Sequence, residues 1–141
     1  QKIFDRIKEH PNMTYHGWQP NDIVREALKE AHIYAYPNIW PETSCISALE
    51  AMSAGCAVVC PNYAALPETV TQYGMIYPFH ESYQRHAEIF ANTLYGTIKH
   101  IKELQPRLVS QKNYVDNFYN WDLRAEQWTG MLEGILKRDA V

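Results

Sequence analysis

Residues 56–60 read CAVVC, an unbroken apolar run closed by Pro61. A strand with one wet face alternates polar and apolar side chains, whereas a strand without that alternation is buried on both faces, as in a parallel sheet. The neighbouring segments supply the rest of that pattern. MTYHG (13–17), stopped by Gly17, HIYAYP (32–37), closed by Pro37, and MIYPF (75–79) read as three further short strands. Helical segments lie between them. Pro20-Asn21-Asp22 supplies a helix start, followed by a stripe of Ile23, Val24, Ala27, Leu28 and Ala31. SCISALEAMSA is a second helix with Gly55 as its C-cap, and ALPETVTQYG is a turn plus a short helix. Residues 2–9 read as the end of a helix ahead of these units. Strands alternating with helices predict an α/β fold, a Rossmann-like parallel sheet with helices on both faces.

From Ser82 onward the pattern becomes helical. Ala87, Phe90, Ala91, Leu94, Ile98 and Ile101 fit one long amphipathic helix. Pro106 opens another, to about Asn120, and Trp121, Ala125, Trp128, Leu132 and Ile135 form the narrow apolar seam of a last one. These three make a helical C-terminal tail.

Composition narrows the function. A chain of 141 residues with 46% hydrophobic residues suits one domain with one core, and its formal charge of −3 argues against a nucleic-acid surface. No run reaches membrane-spanning length and no signal peptide is visible, so the chain is expected to be cytoplasmic, with peripheral association left open to the full enzyme. Cys45, Cys56 and Cys60 are expected to be buried free thiols, because no Cys/His grouping has zinc-site spacing.

In open parallel sheets, ligands sit outside the carboxyl ends of the strands. The rim loops are therefore 17–20, 38–44 and 61–67. The second leads into a helix whose N-cap is expected at Thr43 or Ser44, leaving the amides of Ser44, Cys45 and Ile46 open to an anion. Glu42 precedes that anion site, and Glu50 lies about 12 Å along the helix axis from it. Ionised carboxylates accept hydrogen bonds only, so both want hydroxyl donors. Hydroxyl site, phosphate site, hydroxyl site is the order of a nucleotide-sugar. Trp40 reads as a loop anchor for the core in preference to a lid over a sugar, Trp18 as a cover for a base or packing for the sheet edge, and Glu68 as a dipole partner at a helix start.

The stretch Pro41-Glu42, seven residues, then Glu50-Ala51-Met52-Ser53-Ala54-Gly55 resembles the retaining glycosyltransferases of the GT-B fold, the group 1 type. The resemblance extends through YHGW, AHIYAYPN, CAVVCPNYAALPETV, GMIYP and NWDLRAEQW, nearly the whole chain. It implies that residues 1–141 are a single, incomplete C-terminal donor domain, without the acceptor domain and the first strands of its own sheet. It implies a nucleotide-sugar donor, an acceptor of unknown kind, no metal and no cofactor. Glu42 would be the catalytic residue and bind sugar hydroxyls, and Thr43, Ser44, Cys45 and Ile46 would complete the sugar and diphosphate site. Glu50 would bind the ribose, and Gly17, Trp18 and Gln19 would lie near the base. Ser44 and Cys45 depart from the aromatic-Gly pair common in the family. There is also no Lys or Arg between Lys29 and Arg85 to face a diphosphate.

Two alternatives stay open at this point: a sugar-nucleotide epimerase on the same fold, and a non-catalytic sugar-nucleotide or carbohydrate-binding module. The chain opens on Gln1 rather than Met and is expected to be an excerpt, inactive alone and prone to self-association through exposed strand edges.

Overall fold

The computed structural model describes residues 2–138. Helix α1 (Lys2–Glu9) is followed by an irregular link and α2 (Asn21–Glu30). Three strands then alternate with helices: β1 (Ile33–Ala35), α3 (Ile46–Ala54), β2 (Ala57–Asn62), α4 (Leu66–Val70) with a 3₁₀ turn at Thr71–Tyr73, and β3 (Met75–Pro78). Helices α5 (Tyr83–Lys99), α6 (Gln105–Phe118) and α7 (Trp121–Arg138) complete the chain. The sheet is parallel, in the order β1-β2-β3. Val58 sits opposite Tyr34, and Cys60 opposite Ile76.

Strand β2 is the centre of the core. Every residue from Cys56 to Pro61 is buried. Val58 and Cys60 join Ala48, Ala51 and Met52 of α3 in one cluster with Leu66, Val70 and Val115. Side chains alternate along a strand, so Ala57 and Val59 face the other way, toward the side α5 covers. Thus the sheet carries helices on both faces. The strand runs two residues past CAVVC, because Pro61 and Asn62 pair with Tyr77 and Pro78. Val59 accepts from the Tyr36 amide at 2.9 Å, so by alternation the Pro61 nitrogen points to the same side, where no ladder bond is needed.

Helix α3 ends in a Schellman motif. Gly55 takes φ 90°, its amide bonds Met52 O at 3.1 Å, and the Cys56 amide bonds Ala51 O at 2.9 Å. Helix α6 completes this end. The buried Gln111 side chain donates to Cys56 O at 2.8 Å and Met52 O at 3.2 Å. Lys112 donates to Ser53 O at 2.7 Å and to Asp116 at 2.8 Å.

Several expectations are corrected. MTYHG is not a strand. Its residues are exposed and irregular, and no strand among the described residues lies beside them to supply ladder bonds. Strand identity here depends on a partner, not on local propensity. Strand β1 is consequently an edge. The buried face of α5 is rotated by one residue from the predicted stripe. His86 and Thr97 are buried, with Phe90, Thr93 and Leu94 half-buried, while Ala87, Ala91 and Ile98 face outward. His86 Nε2 meets Tyr77 OH at 3.0 Å while its Nδ1 is buried without a partner, and the threonine hydroxyls donate to their own helix, at Ile89 O and Thr93 O. The α7 seam forms as a helix face, but Trp121, Trp128, Leu132 and Ile135 are exposed.

Cys45, Cys56 and Cys60 are free and buried, as expected. Burial, with the nearby Cys45 thiol, pushes the Cys60 thiol up to about 12, which leaves it unreactive.

Candidate functional site

In a parallel sheet the loops that follow β1 and β2 lie at the same end. A bond from the Ala65 amide to Glu42 O, 3.1 Å, ties these two loops together. Asn38 folds the first of them. Its side chain accepts from the Trp40 amide at 2.9 Å and donates to Trp40 O at 2.6 Å, an Asx-type turn. The turn sends the Trp40 ring outward, 71% exposed, so Trp40 does not anchor the core. Trp18, 87% exposed, does not pack on the sheet edge.

Glu42 is half-buried, and its Oε1 accepts from Tyr36 OH at 2.6 Å. Burial and this bond together raise the Tyr36 phenol above its ordinary range, because the bond requires the phenolic proton. Tyr34, one strand repeat earlier on the same face, donates to Ser47 Oγ at 2.9 Å. Its phenol is raised as well, chiefly by burial. The two rings stack at 5.4 Å and 23°. Strand β1 and the residue directly after it thus hold the rim through two phenols, one bonded to the loop and one to the helix.

The N-cap of α3 is Cys45, not Thr43 or Ser44, and no side chain caps the helix. Ser47 Oγ accepts from Tyr34 OH and lies 3.4 Å from Cys45 Sγ. The first helical bond runs from the Leu49 amide to Cys45 O, 3.2 Å, so the amides of Ile46, Ser47 and Ala48 have no place in the helix ladder. The open amides therefore lie two residues beyond the expected set. Glu50 is about 6 Å along the axis from Ile46, the first helical residue. Cys45 has φ −120° and a buried side chain, so a residue with a Cβ fits where the family pattern has Gly, without backbone strain.

Glu50 is half-buried, with Oε1 accepting from Asn21 Nδ2 at 3.0 Å. Asn21 opens α2, so the loop of Gly17, Trp18 and Gln19 leads directly to Glu50. Gly17 turns that loop at φ 66°, and Gln19 donates to His16 O at 2.6 Å. Glu68 is exposed in the first turn of α4, where its charge suits the dipole.

Glu50 also lines an open groove of about 940 Å³ between α2, α3, α6 and the start of α7. Arg25, Lys29, Lys112 and Arg124 line it too. The sequence shows no cation near Glu50 along the chain, and these four arrive from other elements. Lys29 pairs with Glu26, Lys112 with Asp116, and Arg124 donates to Gln127 and lies over Phe118. Arg25 makes no hydrogen bond or ion pair among the described residues. Among the same residues, no group of three His, Cys, Asp or Glu could hold a metal ion. No helix among them is long and apolar enough to cross a membrane.

A carboxylate on a rim loop, a second in the helix that follows it and an open helix N-terminus between them are the layout in which open α/β domains bind ligands. Residues 3–95 match the family model of the glycosyl transferases group 1, and the chain belongs to that family of sugar-transferring enzymes. No curated protein and no solved structure matches it.

Proposed function

We propose that this domain binds the nucleotide-sugar donor for metal-independent transfer of a sugar to an acceptor with retention. The reading is supported by two half-buried carboxylates, each held by a neighbouring side chain, that flank a helix N-terminus with unused amides. Glu42 binds sugar hydroxyls and fixes the reacting carbon. The amides at the start of α3, with Thr43 to Ile46 around them, face the diphosphate, whose charge grows as it departs. Glu50 accepts from the ribose hydroxyls, and Gly17 to Gln19 lie toward the base. Epimerised sugar nucleotide released without an acceptor would instead identify an epimerase.

The test is a donor titration of the full-length enzyme by calorimetry, using UDP- and GDP-linked hexoses in chelator and in excess magnesium. Affinity is expected to agree within about twofold, about 0.4 kcal/mol, between the two conditions. Affinity that collapses in chelator would show that a metal carries the diphosphate.

A further inference from the structure

We propose that Tyr36 is a positioning residue for Glu42, its hydroxyl holding one carboxylate oxygen so that the other is presented to the donor sugar. The inference rests on the reading of Glu42 as the sugar-binding carboxylate. Three observations carry it. Tyr36 is fixed by the sheet, since its amide bonds Val59 O at 2.9 Å directly after β1. Its half-buried ring is stacked on Tyr34, so the hydroxyl has little freedom of placement. That hydroxyl donates to Glu42 Oε1 at 2.6 Å, while Glu42 O accepts from the Ala65 amide at 3.1 Å. Glu42 is therefore held at both its backbone and its carboxylate. Glu42 Oε2 has no hydrogen-bond partner among the described residues, which leaves it to accept from a ligand hydroxyl.

A carboxylate on a rim loop turns freely about its terminal bonds, and a group that must meet one sugar hydroxyl loses rate when its orientation is left to chance. The phenol removes that freedom without adding charge. A tyrosine suits the task because it spans from the sheet to the loop, where a serine or asparagine at the same position would not reach.

The experiment is a double-mutant cycle in the full-length enzyme, with Tyr36→Phe, Glu42→Gln and both together. The probes are UDP-glucose, UDP-N-acetylglucosamine and GDP-mannose, read as nucleoside diphosphate released, with bare UDP and GDP affinities by calorimetry. Tyr36→Phe keeps the ring and the packing. It is expected to lower kcat about tenfold, with KM and diphosphate affinity within about twofold of wild type. In the Glu42→Gln background it should lower kcat no further. An equal loss in both backgrounds would show that Tyr36 acts on the fold alone and would overturn the inference. Wild-type turnover by Tyr36→Phe beside an impaired Glu42→Gln would overturn it too, while leaving the role of Glu42 standing. An unimpaired Glu42→Gln, or a wild-type enzyme that binds none of the probes, would overturn the donor reading and the inference together.

Discussion

Glu50→Gln and Glu42→Gln are expected to fail in different ways. Glu50 is proposed to face the ribose, which the sugar nucleotide and the bare nucleoside diphosphate share. A hydrogen bond to a charged group is worth about 1.5–3 kcal/mol, so Glu50→Gln should weaken both ligands by roughly tenfold to a hundredfold. Asn21 would retain an oxygen acceptor in that variant, so the fold should survive. Glu42 is proposed to face the sugar, which the bare diphosphate lacks. Glu42→Gln should leave diphosphate affinity nearly unchanged and reduce turnover, because sugar hydroxyls fix the reacting carbon against its leaving group. Calorimetry with both ligands and steady-state rates on the full-length enzyme separate the two patterns. Equal losses for both ligands in both variants would mean that the carboxylates do not bracket a donor.

The largest stability effect is expected at Gln111, which is fully buried. Its amide nitrogen donates to Cys56 O and Met52 O, and its Oε1 is buried without a partner. Gln111→Glu keeps the shape and turns the donor into an acceptor aimed at two carbonyls. An ionised carboxylate there is a buried charge without compensation, with a cost of about 3–5 kcal/mol. Burial raises the carboxyl's folded pKa above its unfolded value of about 4.3. The variant is therefore least impaired below that pH, where one proton can still bridge to a carbonyl, and its stability falls as pH rises toward the folded pKa. Gln111→Leu should come within about 1 kcal/mol of wild type, because the orphaned Cys56 carbonyl is offset by removal of the orphaned Oε1. Urea melts of both variants from pH 4 to pH 8 test the ordering. A Gln111→Glu variant that gains stability with rising pH would show that the side chain does not face these carbonyls.

What the sequence made legible follows from locality. The run CAVVC needs no context, since five apolar residues cannot sit on a half-wet strand. Gly55 is equally local, because its conformation suits glycine wherever a helix ends. The Pro41-Glu42 to Gly55 pattern carried the family, which the match over residues 3–95 bears out. The losses are non-local. MTYHG has the composition of a strand and lacks only a neighbour. The N-cap rule selected Thr43 or Ser44, yet the helix begins at Cys45 with no side-chain cap. Nothing in spacing alone pairs Tyr36, one of ten tyrosines, with Glu42. Gln111 and the groove cations were invisible for the same reason. A polar side chain on a helix reads as solvated until the helix it meets is known.

The cap that α6 places on α3 also bears on the order in which the domain closes. Gln111 is 59 residues from Met52 and 55 from Cys56, whereas the strands pair over shorter spans. Closing a longer loop costs only slightly more entropy, so distance is not the obstacle. The constraint is sequence order: a chain emerging from a ribosome presents β1, α3, β2 and β3 before α6 exists. Until then the Cys56 carbonyl can be satisfied only by water, and the flank of α3 that Val115 covers stays wet. The helix that carries the proposed ribose carboxylate is thus sealed by a segment made only after the three strands of the described sheet.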